Sequence, residues 1–583
     1  MIKDLINVHK ILSIKEKTKL FLNVALKIIL SLLEGITVLS FVPFLSLISN
    51  KDLFFEKSIF LSSLSFLNLS NQEIYIAIIL LPLLSIVILN LYRPFMMWHS
   101  SRTAADIWRN KIYDLFNYYL NKNYLFHLNN SSNKLLERLL QRTNSAVAGV
   151  IFPAYEIIGA LFSSAFLTII PMLYNPYIGL ICLGLIIIFY FIFYQYFKNK
   201  IRVFGAYQPI FAQETYKLVD ESFKSIKDIK LRKNYNFFSE QFFGKIKKYS
   251  DNSVVFDFLS SVPRSITEIF GFSFILIASV VLLIMSNYKI EETIITLGVY
   301  LLALQRLIPT IQNLFQQVSQ YKLYKKSFYT IYNDLLESNK FKINSSRNNK
   351  SKYIEDLKFK NEIKLVNISF SYPDNRNFEL KIDNLLIKKG DILGISGKSG
   401  HGKSTFVNII TGLIKPDSGK LFLDEMEINF SNLEFFQKKI TYVPQNIFVL
   451  DDTIEKNIAF GLNEKFIDQE KLRKASEIAG ISDFIENELK NKYKTIVGEN
   501  AIKLSGGQRQ RLGLARALYE DKEIIFLDEA TGALDKLKES EILDKICSMK
   551  DKTIVIVTHN PLILQKLPRI LYFDKGQLNL KKI

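Results

Sequence analysis

Cysteine is almost missing from this 583-residue chain, with Cys182 and Cys547 the whole complement, one in a long apolar run and one near the far end. No disulfide framework is implied. Charged residues are also scarce, at 22% against 49% hydrophobic, and acids are outnumbered, 56 Asp and Glu facing 75 Lys and Arg for a net charge of +19. The mean hydropathy is positive, +0.13, although the last third reads as soluble, so the apolar excess must sit upstream. A cleavable signal is lacking as well. Met1 to Lys19 is a lysine-bearing lead, and the apolar run behind it is too long for a signal peptide. The abundance of Asn, Lys, Ile and Phe reads as genomic base bias and carries little function.

Long apolar runs are what the chain does have. Six of them, at about 19–48, 73–98, 146–172, 176–197, 263–286 and 292–314, are long enough to cross ~30 Å of hydrocarbon as helix. Six spans put both ends on one side. Segments 1–20, 99–145 and 198–250 carry five, seven and twelve Lys or Arg, whereas the intervening loops near 49–72, 173–175 and 287–291 carry two, none and one. The positive-inside rule therefore places both termini in the cytoplasm. The basic balance then follows from topology and contact with anionic lipid, and nucleic-acid binding is the weaker explanation. The two long basic loops are expected to extend the helices on either side of them, with short docking helices at their tips near 121–130 and 215–225. Residues 340–358 begin with a polar, low-complexity stretch and read as a linker, which divides the chain into a membrane domain, 1–339, and a soluble domain, 359–583.

The soluble domain contains Gly397-Lys-Ser-Gly-His-Gly-Lys-Ser404, between an apolar strand, Asp391–Ser396, and a helical stretch from Thr405. Glycines let backbone N–H groups converge on phosphates at a helix start whose dipole favours anions. Gly397, Gly400 and Gly402 supply that freedom, with Ser399 in the loop and Thr405 at the start of the helix as further nucleotide contacts. Lys403 is placed to reach the β and γ phosphates, and the Ser404 hydroxyl to ligate Mg²⁺. Further on, the apolar run Ile524–Leu527 ends in Asp528 and Glu529, one carboxylate for Mg²⁺ and one to polarise a water. A second apolar run, Thr553–Thr558, ends in His559. The expectation is an α/β P-loop ATPase domain.

These motifs, with Leu504-Ser-Gly-Gly-Gln508 and Val443-Pro-Gln-Asn446, stand in the order found in ABC transporter nucleotide-binding domains, which residues 360–583 resemble. The resemblance implies that Tyr372 stacks on adenine and that Gln445 touches Mg²⁺ and senses the membrane domain. It makes Glu529 the general base, puts His559 on the γ-phosphate, and takes Ala533-Leu-Asp535 across a dimer interface. Ser505, Gly506, Gly507 and Gln508 would complete the ATP site of a second copy, so the chain is expected to be half of a homodimer whose two sites both turn over. Gly532, Ala501 and Asn560 depart from the common exporter pattern, but none of them removes a catalytic side chain. Domain order and the long cytosolic loops imply exporter polarity.

Cargo is argued from charges that hydrocarbon rejects. Arg93, Arg264 and Arg306 lie within the spans, and an arginine facing lipid at mid-membrane costs roughly 2.5–3.5 kcal/mol. Counted from the outer span ends at ~1.5 Å per residue, Arg93 and Arg264 lie ~30 Å down and Arg306 ~22 Å down. Such a cationic layer would suit a phosphate or pyrophosphate, which guanidinium groups bind bidentately. Pairing of Arg264 with Glu268 one turn away, or snorkelling of Arg93 and Arg306, would leave it structural. Glu34 and Glu156 are expected as interhelical partners. With Glu34 before Gly-Ile-Thr, Val262-Pro-Arg264 and the Leu-Xaa-Arg-Leu-Xaa-Pro of the sixth run, the chain resembles the bacterial flippases of lipid-linked oligosaccharides. That implies a polyprenyl-pyrophosphate glycan moved from the inner to the outer leaflet of the inner membrane. An exporter of a peptide, drug or other lipid is the alternative, and a regulator that binds ATP without turnover is disfavoured by Glu529 and His559. The Phe- and Leu-rich outer loop, 51–67, is a weak candidate for contact with a polyprenyl tail.

Overall fold

A computed structural model describes residues 2–49, 70–173, 176–285, 290–348, 359–373, 375–429, 431–498, 504–532 and 536–581. The outer loop, most of the linker and Ala533-Leu-Asp535 therefore lie outside the described residues. The chain forms two compact units, one of residues 1–122 and 129–350, the other of 123–128 and 351–583.

The first unit is helical throughout. Its elements are α1 (Ile2–Ile11), α2 (Ile14–Ser49), α3 (Asn71–Leu120), then, beyond the short α4 (Tyr124–Asn129), α5 (Ser132–Met172), α6 (Pro176–Lys224), α7 (Ile226–Arg232), α8 (Tyr235–Met285) and α9 (Ile290–Asn348). Local chemistry starts the helices. Ser13 and Glu16 cap α2 reciprocally, and Ser70 with Glu73 forms a capping box for α3. Among the described residues five helices, Ile14–Ser49, Gln72–Leu120, Ser132–Met172, Tyr235–Ile284 and Thr293–Lys342, are long and apolar enough to cross a membrane. The expected fourth run, 176–197, lies in α6, many of whose side chains are outside the described set. Large apolar side chains such as Leu83, Leu84, Leu276 and Ile277 are exposed on these helices, as a hydrocarbon solvent requires. Helix α9 runs on to Asn348, into the stretch expected as linker. The second loop tip is also displaced: α6 continues through 215–224, and the short helix is α7 at Ile226–Arg232.

Charges within the helices find partners because an unpaired ion in an apolar surround is costly. Lys27 and Glu156 pair at 2.5 Å, Arg93 and Glu34 at 2.7 Å, and Lys111 and Glu16 at 2.9 Å. The expectation that Glu34 and Glu156 bridge helices thus holds. Two π-helical stretches interrupt α5, at Arg138–Arg142 and Val147–Ile151. In the second, a Cβ on Gly149 would lie 2.2 Å from the Tyr324 ring of α9, so only glycine allows this approach.

The second unit is built on one ten-stranded sheet in the order β5-β4-β1-β2-β10-β9-β3-β8-β7-β6. The strands are β1 (Glu362–Tyr372), β2 (Asn375–Lys388), β3 (Ile392–Gly397), β4 (Ser418–Leu423), β5 (Met426–Glu427), β6 (Ile440–Val443), β7 (Ile524–Asp528), β8 (Thr553–Val557), β9 (Arg569–Asp574) and β10 (Gln577–Lys581). The run β9-β3-β8-β7-β6 is parallel, whereas β1 pairs antiparallel with β2 and β4. Every residue of β7 and β8 is buried, which explains their unbroken apolar runs: parallel strands are covered on both faces. The carboxyl ends of β3, β7 and β8 point to one edge, where open parallel sheets place their ligands.

Candidate nucleotide site

At that edge the chain leaves β3 at Gly397, loops, and enters α10 (Lys403–Ile410). Gly397, Gly400 and Gly402 have φ of 146°, 79° and 102°, conformations that side chains resist. Space is equally tight at two of them. A Cβ on Gly397 would lie 2.3 Å from the Phe573 carbonyl oxygen, and one on Gly402 would lie 2.9 Å from the Phe378 ring. The loop thus presents backbone rather than side chains at the start of α10, a cradle suited to phosphate. Lys403 is 7% exposed, and its Nζ donates to the carbonyls of Gly397 and Lys398 at 2.7 and 3.0 Å. Burial, only partly offset by the charges of Glu529 and Asp528, pulls its proton affinity below the usual lysine range.

A cavity of about 510 Å³ gathers the expected residues: Tyr372, Ser399, Gly400, Gly402, Lys403, Ser404, Thr405, Gln445, Asp528, Glu529 and His559 line it. Strand geometry brings them there. Glu529 follows β7, its N–H donating to the Val557 carbonyl of neighbouring β8 at 3.0 Å, and takes a φ of 48° that a glutamate seldom adopts. The Gln510 amide holds its carbonyl at 3.3 Å. Glu529 Oε2 accepts from Gln445 Nε2 at 2.6 Å, and Oε1 faces His559 Nε2 at 3.2 Å. Gln445, expected on Mg²⁺, thus engages the second carboxylate through its Nε2. Asp528 is 8% exposed; burial raises its proton affinity, and a hydrogen bond from Tyr442 works against that.

Two features escaped the sequence reading. Phe378 lines the cavity beside Tyr372, and Tyr442 donates to Asp528 Oδ2 at 3.0 Å. Strand alternation gives Tyr442 a face, but its partner lies on a strand eighty-six positions away, and no local pattern links the two. Tyr372 lines the cavity as expected, its hydroxyl 3.2 Å from Thr405 Oγ1. Gly397 does not line the cavity; its carbonyl accepts from Lys403 Nζ at 2.7 Å. Ser505, Gly506, Gly507 and Gln508 do not line this cavity; Ser505 caps the helix Gly506–Tyr519 in a box with Gln508. Asn560, the departure after His559, caps the next helix and bonds Glu539 at 2.9 Å.

The three arginines are divided. Arg93 pairs with Glu34, and Arg306 lies within electrostatic range of both. Arg264 does not join them. It bonds Glu268 at 2.9 Å along its own helix, with its side chain 61% exposed. Equal depth places two residues at one level but leaves their direction around the helix open.

Residues 380–532 match the ABC transporter family. The chain is 29% identical over 516 residues to the ATP-dependent lipid A-core flippase of Wigglesworthia glossinidia brevipalpis, covering 83% of this chain and 81% of that protein. It is 37% identical over 222 residues to the protein of that name from Pectobacterium atrosepticum, 38% of either chain. It is also 37% identical over 218 residues to the alpha-hemolysin translocation ATP-binding protein HlyB of Escherichia coli O157:H7, 37% of this chain and 30% of that one. Among solved structures, a bacterial Atm1-family ABC exporter with ATP bound superposes with a TM-score of 0.72 at 20% identity, covering 96% of this chain and 94% of that one. The chain thus has the fold of an Atm1-family ABC exporter and carries an ABC transporter ATPase domain, matched over residues 380–532.

Proposed function

We propose that two copies of this chain form a flippase in the bacterial inner membrane, both termini cytoplasmic, which moves a lipid with an anionic head group outward. A polyprenyl-pyrophosphate-linked oligosaccharide is its leading cargo. The observation that carries this reading is the ion pair of Arg93 with Glu34, with Arg306 within electrostatic range of both. Two guanidinium groups against that one carboxylate favour a phosphate or pyrophosphate partner. On the outward turns of α2 and α3, Leu33, Ile36, Leu84 and Ile88 line an apolar groove of about 520 Å³, suited to a hydrocarbon tail. The flippase names of two relatives favour a lipid, whereas the hemolysin-translocation relative keeps a peptide exporter as the competing reading.

The nucleotide site fits ATP: an N–H cradle with positive-φ glycines faces two carboxylates across one cavity. Backbone N–H groups at Gly400, Gly402 and Lys403 bind phosphate oxygens, and Lys403 Nζ exchanges its two carbonyls for them. Ser404, Asp528 and Gln445 would hold Mg²⁺, which would neutralise developing phosphate charge. Tyr372 stacks on adenine, with Phe378 beside it. Glu529 takes the proton of the attacking water on its carboxylate, oriented by Gln445 and His559. Ser505 and Gly507 of a second copy close over the phosphates.

The test is transport by the purified full-length protein in liposomes, followed with labelled lipids. Alanine at both Arg93 and Arg306 should stop flipping of the pyrophosphate-linked glycolipid while sparing ATPase activity, and Arg264→Ala should transport normally. Undiminished flipping by the double variant refutes the cationic site. Transport of lipid A-core or peptide, but not of the glycolipid, refutes the assigned cargo.

A further inference from the structure

In the second unit β6 is the edge strand, paired in parallel with β7 so that Tyr442 lies opposite Phe526. Alternation puts Tyr442, Phe526 and Asp528 on one face of the sheet. Tyr442 therefore reaches diagonally to the end of β7, where its hydroxyl donates to Asp528 Oδ2 at 3.0 Å. The same face receives segment 123–128, which belongs to this unit although it is the turn between α3 and α5. Leu125 of that segment and Tyr442 both pack on the core that contains Phe526, Ile440 and Phe436. Tyr124 lies within electrostatic range of the Tyr442 hydroxyl. Tyr442 thus stands between the turn and the buried carboxylate.

We infer that Tyr442 is a positioning residue: its hydroxyl fixes the Asp528 carboxylate for the divalent cation, and its ring transmits the seating of segment 123–128 to that carboxylate. The inference rests on the reading of Asp528 as the cation's ligand. A phenol packed on one side and bonded on the other restricts the carboxylate to one orientation, the usual work of an outer partner in a metal site. If the turn shifts on the sheet, the ring shifts with it, and the carboxylate loses that restraint.

The test measures Mn²⁺ binding by electron paramagnetic resonance, in the presence of ATP, on the full-length protein in nanodiscs. Tyr442→Phe removes one oxygen and keeps the ring. It should weaken ATP-dependent Mn²⁺ binding about 10- to 100-fold and leave metal-free ATP binding, which reports an intact site, unchanged. Native Mn²⁺ affinity in Tyr442→Phe overturns the positioning role. Asp528→Asn is the separate control: native Mn²⁺ affinity there overturns the ligand assignment itself. Leu125→Ala should weaken Mn²⁺ binding in the native background and cause no further loss in Tyr442→Phe. Equal losses in both backgrounds, or none in the native one, overturn the transmission through Tyr442.

Discussion

Replacing Glu529 with glutamine is the sharpest test of the catalytic assignment, because it alters charge and basicity at nearly constant volume. The carboxylate accepts from Gln445 at 2.6 Å and faces His559 at 3.2 Å. A glutamine amide keeps its oxygen for Gln445 and presents its NH₂ toward the imidazole, so the backbone turn at φ 48° and the cavity wall should survive. What is lost is a group that can take a proton from water. General-base catalysis contributes about 10²–10⁴-fold, or ~2.7–5.4 kcal/mol of barrier, and Glu529→Gln should lose that in kcat. Nucleotide affinity should be kept or increased, with ATP trapping a closed dimer. The assay is initial-rate phosphate release alongside equilibrium ATP binding on the same reconstituted sample. Phosphate release within about twofold of native, outside that catalytic range, refutes the general-base role. Loss of ATP binding shows instead that the carboxylate supports the site's structure.

Two further outcomes follow from geometry elsewhere. Gly397→Ala forces a Cβ to 2.3 Å from a backbone oxygen at φ 146°; strain alone costs about 1–3 kcal/mol, so thermal unfolding of the ATPase unit should shift downward, and an unchanged transition would contradict the turn geometry. Asp4 anchors α1 to α9 through Lys325 at 2.7 Å and Tyr329 at 2.5 Å. Burial alone would raise its proton affinity, but the hydrogen bonds from Lys325 and the tyrosines outweigh it and hold the carboxyl well below its ordinary 3.8. A depressed folded-state value means the anchor is fully stabilising above that ordinary value and weakens only as the pH falls below it. Hydrogen exchange of α1 should therefore be slow from pH 8 down to about 5 and fast in Asp4→Asn throughout; equal protection in the variant would show that the anchor lies elsewhere.

The candidate nucleotide site was legible as one cavity because its residues come in motifs local in sequence. A phosphate cradle needs glycines, a lysine and a hydroxyl within a few residues of a helix start, and the two carboxylates need only the end of a buried strand. Eleven of the residues expected there or near it do line one cavity. Five of the six apolar runs fall, among the described residues, in helices long and apolar enough to cross a membrane, because crossing hydrocarbon demands uninterrupted apolar length, which composition displays directly. The short helices at the loop tips were less legible. The one near 121–130 appeared as Tyr124–Asn129, while the other lay just beyond its expected place, at Ile226–Arg232, because a helical stretch with no breaker simply continues.

Alone, the sequence pointed to long apolar runs joined to an ATPase domain, to the glycine-rich loop at Gly397–Ser404 and to the carboxylates Asp528 and Glu529 behind it. Pairings across helices and strands were decided only by the tertiary structure. Depth along a helix could group Arg93, Arg264 and Arg306, but azimuth sent Arg264 to Glu268 and Arg93 to Glu34, with Arg306 within electrostatic range of that pair. Strand order alone brought Tyr442 to Asp528. In each case the physical reason is the same: a periodic pattern gives a residue its level and face, whereas its partner is set by how distant elements pack.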